Sequence, residues 1–519
     1  MKIKKLLEIY PRRNVAMWAL LFFAIVWLTI LGFSGSVFSG YHLTDDHEIV
    51  RIKKDLESKE VMSVAVKWMK DDQLVTHRFR PFYYFHRVLG VELLGSNFIA
   101  WSIYNALLAI ATSFLLFYFL CLLGFYFWES LLFSLITLNG PQATIWWRLG
   151  PQESLGMFLL SASLFFLALY VLAKKNQGIF RIIFIIFAVL TALSKESFLL
   201  MLPALALLSI YLSKIKGGLS WKESAKKNIV SAAVLMVIFF GLILYIKKFI
   251  GTQGIGYAGI SGFDWKAYSE TFWNISTNWF GYLILAQIIL ILISVLLGTN
   301  RWENVRKILK KYAPPVIIFL SIVVPQVILH AKSGFLKRYM VPALLGYAMA
   351  FIFLSRQMKG RLIYAKAGII LTAMLFILVD VAFSFRNAQD FSKEGRNVNN
   401  LFRTIKERTF SDENILIVGD PVEHHEWIGS IAFYLKNEAK RDNLYIYPLA
   451  RKPRPTDDDF SSVYGKKLYN NVPDKEIFSA IMLFPRTEKK FLENFPNKTQ
   501  LEESFVREEF GDYLMYYND

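Results

Sequence analysis

Apolar residues along this chain fall in blocks of roughly 20, the length an α-helix needs to cross a bilayer. Eleven such blocks occur, over residues 15–33, 97–119, 122–139, 153–172, 179–194, 198–213, 229–249, 278–298, 314–330, 339–355 and 366–385. The shortest breaks between them lie near Cys121–Gly124 and at Ser194–Ser197. After residue 385 the pattern changes. Short apolar runs such as Asn414–Asp420 ("NILIVGD") and Ser479–Phe484 ("SAIMLF") read as strands, and segments such as Trp427–Lys436 as helix. The pattern predicts an α-helical polytopic membrane protein with about eleven transmembrane helices over residues 1–385. A small extracytoplasmic α/β domain is expected over 386–519. No fixed-period repeat is present, which argues against a solenoid or propeller.

Composition agrees. The 519 residues are 55% hydrophobic and 16% aromatic, too apolar for a soluble protein. The formal charge of +18 would suggest nucleic acid in a soluble chain, but here the cations follow topology. With the N-terminus cytoplasmic, Lys174, Lys175 and Arg181 fall on inner loops, as do Lys214, Lys216, Lys222, Lys226 and Lys227. Arg301, Arg306, Lys307, Lys310 and Lys311 join them, and then Arg356, Lys359 and Arg361. That is the positive-inside bias, and the odd span count puts the tail outside. Residues 34–96 and 251–278 form the other large outer segments. The run Val15–Phe33 after the basic start reads as an uncleaved first span. Cys121 is the only cysteine, so no internal disulfide forms.

Four outer motifs carry chemistry. The first, "YHLTDDHEIVR" (Tyr41–Arg51), sets Asp45 and Asp46 just behind the first span. One carboxylate can act as general base on a hydroxyl acceptor while the other positions it; the bland alternative is a solvated loop. His42, His47 and Glu48 raise the question of a divalent metal, but their spacing matches no strict zinc pattern, and no metal ligand is assigned. The second, "WWRLGPQES" (Trp146–Ser154), places Arg148 and Glu153 about a Gly-Pro turn. Its tryptophans fit an interfacial belt, and Arg148 suits a phosphate or Glu153. The third, "LTALSKESFLLMLP" (Leu190–Pro203), puts Lys195 and Glu196 in a hairpin with almost no loop. Ionisable groups at membrane depth are functional candidates, and Lys195 suits a lipid-linked phosphate; the alternative is a self-satisfied Lys–Glu pair. The fourth, "HAKSGFLKRYMVPAL" (His330–Leu344), gathers His330, Lys332, Lys337 and Arg338 on the side where cations should be few. Such a cluster wants an anion, and Arg338 can grip a phosphate bidentately; snorkelling helix ends are the alternative.

In combination, "TDD" in the first outer loop, the "SKES" turn and "KRYMVP" resemble the GT-C-type glycosyltransferases, including the protein O-mannosyltransferase-like and aminoarabinose transferase-like members. The resemblance covers residues 1–385. It implies an inverting transfer from a polyprenyl-phosphate-linked sugar donor to an acceptor hydroxyl on a lipid, glycan or protein, outside the membrane. It implies Asp45 or Asp46 as catalytic carboxylate, with Asp45 favoured. Lys195 and Arg338 would match donor-phosphate contacts; the outer motifs themselves add Lys337 and Arg148 as further phosphate-binding candidates and Glu153, Glu196 and His330 as acceptor or positioning candidates. It also implies amphipathic helices in the first outer loop, which Lys54–Met69 can supply. One departure is Asp-Asp where protein O-mannosyltransferases have Asp-Glu, and no protein-acceptor module is recognised, which leaves the acceptor open. The compact length suggests a bacterial chain. A flippase would instead show repeats and midplane charges, and a glycan polymerase would lean on loop arginines and histidines. The glycine-rich segment Gly251–Phe263 is either a lid or a linker. "VEHHEW" (Val422–Trp427) reads as a surface helix start capped by Asp420, whose adjacent histidines chelate poorly.

Overall fold

The computed structural model describes residues 13–250, 264–296, 301–331, 337–420, 424–449, 467–468, 477–494, 501 and 505–518. Lys332 and the glycine-rich 251–263 lie outside the described residues. Each of the eleven apolar segments is helical. Nine helices among the described residues are long and apolar enough to cross a membrane, from Asn14–Phe33 to Gly360–Arg408, and Phe127–Leu138 and Gln177–Ala192 are shorter. This is a multi-pass membrane protein. The first short helix stops because Asn139 is extended, Gly140 adopts φ 97° and Pro141 follows. The second stops where Ser194 turns its hydroxyl back to Leu190 O (2.8 Å) and Lys195 becomes extended. The paired tryptophans face the protein interior. Trp146 and Trp147 are buried, and Trp146 packs edge-on against Trp27 at 5.6 Å.

The first loop differs from expectation in a way that matters for the site. Lys54–Met69 is not one helix. Helices His47–Leu56 and Val61–Asp71 are separated by a break around Ser58–Glu60. Each turns its own apolar residues, Ile49 and Ile52 on one and Val64 and Trp68 on the other, onto Tyr83, Tyr84 and Val88 of helix Pro81–Leu94. One straight helix could not direct both faces to the same support. Asp55 ties the pair together, bonding Lys67 Nζ at 2.7 Å and Trp68 Nε1 at 2.9 Å.

The expected division at 385 is not a break in the chain either. Helix Ile363–Arg408 runs unbroken for 46 residues. Past the last span it buries Ala388, Ser392, Gly395, Val398, Leu401, Phe402 and Ile405, a three-to-four-residue stripe that needs a partner. The partner is a six-stranded sheet. Strands β1 (Ile415–Gly419), β2 (Leu444–Pro448), β3 (Lys467–Leu468), β4 (Ala480–Leu483), β5 (Val506–Phe510) and β6 (Tyr513–Tyr517) lie in the order β3-β2-β1-β4-β6-β5. The first four are parallel, with Ile415 beside both Leu444 and Ala480; β5 and β6 form an antiparallel hairpin. The stretches read as strands thus form the two central strands. One face of the sheet packs on the long helix, on helix His425–Asn437 and on Tyr41, Leu43 and Val50 of the first loop. His424 holds the N-cap position of that helix, and its Nδ1 accepts from Asp420 N at 3.1 Å.

Sheet domain and first loop are therefore one body. Tyr41 OH donates to Ser430 O at 2.9 Å, and Lys53 Nζ bonds Glu438 at 2.9 Å. Asn399 donates to Ser39 O and Tyr41 O, each at 2.9 Å. This body fixes the turn that carries the two aspartates.

Candidate active site

The turn presents its two carboxylates in different directions. Asp45 adopts φ 68°, a left-handed conformation that aspartate tolerates better than most residues. Asp46 is 1% exposed, and its Oδ2 accepts from His42 N at 2.9 Å, closing the turn. Burial pushes the Asp46 carboxyl up to about 8. His42 is held in turn by Ser39 Oγ at 2.7 Å and stacked on Phe391 at 3.6 Å. His42, His47 and Glu48 do not gather, and among the described residues no group of three His, Cys, Asp or Glu is placed to hold a metal ion. Gly150 is essential to the close approach: a Cβ there would overlap the Asp45 side chain.

Asp45 faces a cavity of about 180 Å³, lined also by Glu48, Thr76, Arg78, Arg80, Gly150, Pro151, Gln152, Glu153, Lys195, Arg338 and Tyr339. Four residues singled out in the sequence, Asp45, Glu153, Lys195 and Arg338, thus meet at one place from four distant stretches. Arg338 Nη1 lies 3.8 Å from Asp45 Oδ2. Lys195 Nζ bonds Glu153 Oε1 at 2.5 Å and sits 4.3 Å over the Tyr339 ring. Burial pulls Lys195 down to about 8 against the attraction of Glu153. The Nε of Arg338 is buried and has no hydrogen-bond partner among the described residues.

The remaining candidates stand behind the walls. Glu196 does not pair with Lys195; its Oε1 accepts from Phe79 N at 2.9 Å and so braces the strand-like stretch that delivers Arg78 and Arg80. His330 is buried and stacked on Tyr339 at 5.0 Å, backing the ring under Lys195. Arg148 does not reach Glu153 and lies over Phe391 at 5.6 Å. Lys337 is exposed and does not line the cavity.

Arg78 and Arg80 escaped the sequence reading. Both are buried, and Arg80 is ion-paired with Asp72 and bonded to Tyr84 OH. The signal was available: "HRFRP" is a basic run in a segment read as outer, the same anomaly that drew attention to Arg338. Glu48, noticed only as a metal candidate, lines the cavity and accepts from Tyr83 OH at 2.9 Å.

No family model matches the chain, and no curated protein matches it. Solved structures do. The chain is similar to ArnT from Cupriavidus metallidurans bound to undecaprenyl phosphate, with a TM-score of 0.50 and 14% identity over 97% of this chain and 98% of that one. The apo form of the same protein gives a TM-score of 0.49 at 14% identity, over the same shares of the two chains. The archaeal oligosaccharyltransferase AglB from Archaeoglobus fulgidus gives 0.46 at 10%, over 97% of this chain and 74% of that chain. The first likeness spans both chains nearly end to end and establishes a GT-C-type membrane fold with its sheet domain.

Proposed function

We propose that this chain is a glycosyltransferase that moves a sugar from a polyprenyl-phosphate donor to an acceptor hydroxyl on the extracytoplasmic face of the membrane. The observation that carries this reading is the meeting of Asp45 with Arg78, Arg80, Lys195 and Arg338 in one cavity. Three carboxylates, Asp45, Glu48 and Glu153, beside four cations suit a reaction in which a proton is taken up and an anion departs. Asp45 accepts the proton of the acceptor hydroxyl. The hydroxyl oxygen bonds to the anomeric carbon, the bond from that carbon to the phosphate oxygen breaks, and the electron pair leaves with the phosphate. Configuration inverts in this single displacement. Lys195 and Arg338 stabilise the charge that grows on the phosphate.

A second observation fits the lipid. An apolar channel of about 310 Å³ is lined by Leu208, Ile284, Ile322, Gly346, Ala350 and Phe353, among others. It begins about two turns below Arg338 along the same helical segment, Lys337–Gln357. A phosphate at the arginine would hang its isoprenoid tail into it, and the fold neighbour from Cupriavidus metallidurans is a complex with undecaprenyl phosphate. Ala350→Trp, which fills the channel, should weaken binding of a long-chain polyprenyl phosphate at least about tenfold, or ~1.4 kcal/mol of lost tail burial. Binding of a two-isoprene phosphate should be unchanged. Equal affinity of mutant and wild type for the long chain would remove the donor from this channel.

A further inference from the structure

A cavity larger than the one that Asp45 lines lies elsewhere among the described residues. It is a cleft of about 660 Å³ between the outer half of helix Ile363–Arg408 and the sheet domain. It opens where β1 and β4 end. Asp420 follows β1, Leu449 follows β2, and Arg486 follows β4. In an open parallel sheet this is the place where ligands bind, because chains leaving adjacent strands in opposite directions leave a crevice between them. Here that point lies between β1 and β4, since β1 connects outward to β2 on its other side.

We infer that this cleft is a binding site for a neutral saccharide, and that it holds the glycan part of the acceptor. Three observations lead there. Its charged side chains nearly balance: Asp390, Glu394, Asp420 and Asp512 against Lys393, Arg486 and Lys490. A polyanion would need a cationic surplus, whereas paired carboxylates and cations suit sugar hydroxyls, which both donate and accept. Trp427 and Tyr513 line the same space, giving ring surface for the apolar face of a sugar. Arg486 is held at φ 63°, an uncommon conformation for a non-glycine residue that tends to persist at ligand sites.

The cleft also adjoins the catalytic turn. His424 and Trp427 at the start of helix His425–Asn437 line the cleft, while Glu426 between them accepts from Asp45 N at 3.2 Å. One helical turn therefore lines the cleft with His424 and Trp427 and holds the backbone of the turn that carries Asp45 through Glu426. This inference rests on the transferase reading for its acceptor, but saccharide binding can be tested separately.

The full chain in detergent is applied to an array of neutral oligosaccharides built from hexose, deoxyhexose and N-acetylhexosamine, with acidic oligosaccharides alongside. Polyprenyl-phosphate binding is measured on the same preparations. Asp390 and Asp512 are exposed, so Asp390→Ala and Asp512→Ala should fold normally. The expected result is retention of neutral glycans by the wild type, reduced tenfold or more in the double variant, with lipid-phosphate binding unchanged. No retention of neutral glycans, preference for acidic ones, or retention indifferent to the double substitution would overturn the inference while leaving the donor reading intact. Loss of lipid-phosphate binding by the wild type would strike the donor reading instead.

Discussion

Asp45→Asn is expected to lower the rate of sugar transfer about 10²–10⁴-fold, the range for loss of a general base, with lipid-phosphate binding kept within a few-fold. Asparagine preserves the shape of the side chain and its fit beside Gly150, so the loss should fall on turnover. The adjacent Asp46→Asn should behave differently. Burial already raises that carboxyl to about 8, so near neutrality it is largely protonated and poorly suited to accept another proton. Its task is to accept from His42 N, which an amide oxygen does as well. Asp46→Asn should therefore retain most activity, while Asp46→Ala, which opens the turn, should not. Transfer rates of the three variants at matched membrane levels decide the assignment. The opposite ranking, with Asp46→Asn inactive and Asp45→Asn active, would move the base to Asp46.

The second large effect concerns the buried pair Lys195–Glu153. Each member is almost fully enclosed, at 3% and 1% exposed. Lys195→Met alone leaves Glu153 charged and buried, and should destabilise the protein by about 3–5 kcal/mol. Lys195→Met with Glu153→Leu removes both charges, and should recover most of that loss, since apolar replacements of a buried pair are often neutral or better. If Lys195 serves the phosphate, stability and function part company: the double variant is stable yet binds polyprenyl phosphate poorly. Thermal unfolding and lipid binding on the two variants measure this. A stable double variant that binds normally would make the pair a structural brace only.

Much of this architecture was legible in the sequence because a membrane imposes a strong constraint. Backbone groups in hydrocarbon must be satisfied within a helix, so apolar length alone located all eleven segments. The central strands were legible for a similar reason, being short apolar runs, the first bounded by Asn414 and Asp420 and the second ended by Pro485. The first-loop break and the long helix through residue 385 were not, since both depend on which surface receives an apolar stripe. The candidate site was partly legible. Asp45, Glu153, Lys195 and Arg338 stood out because charge beside an apolar run is costly. Arg78 and Arg80 did not, because they lie in a polar loop where charge costs little, and only folding buries them. The different fates of Asp45 and Asp46 rest on a left-handed turn fixed by His42, Asn399 and Gly150, residues far apart in sequence.

The account turns on where the donor's phosphate sits, and a single-particle structure of the protein in a lipid nanodisc with polyprenyl phosphate would observe it. The account predicts phosphate density in the cavity beside Asp45, within hydrogen-bonding distance of Lys195 Nζ and the Arg338 guanidinium, with the tail entering the channel past Gly346 and Ala350. Phosphate density elsewhere, with the cavity closed by the Asp45–Arg338 pair, would contradict it.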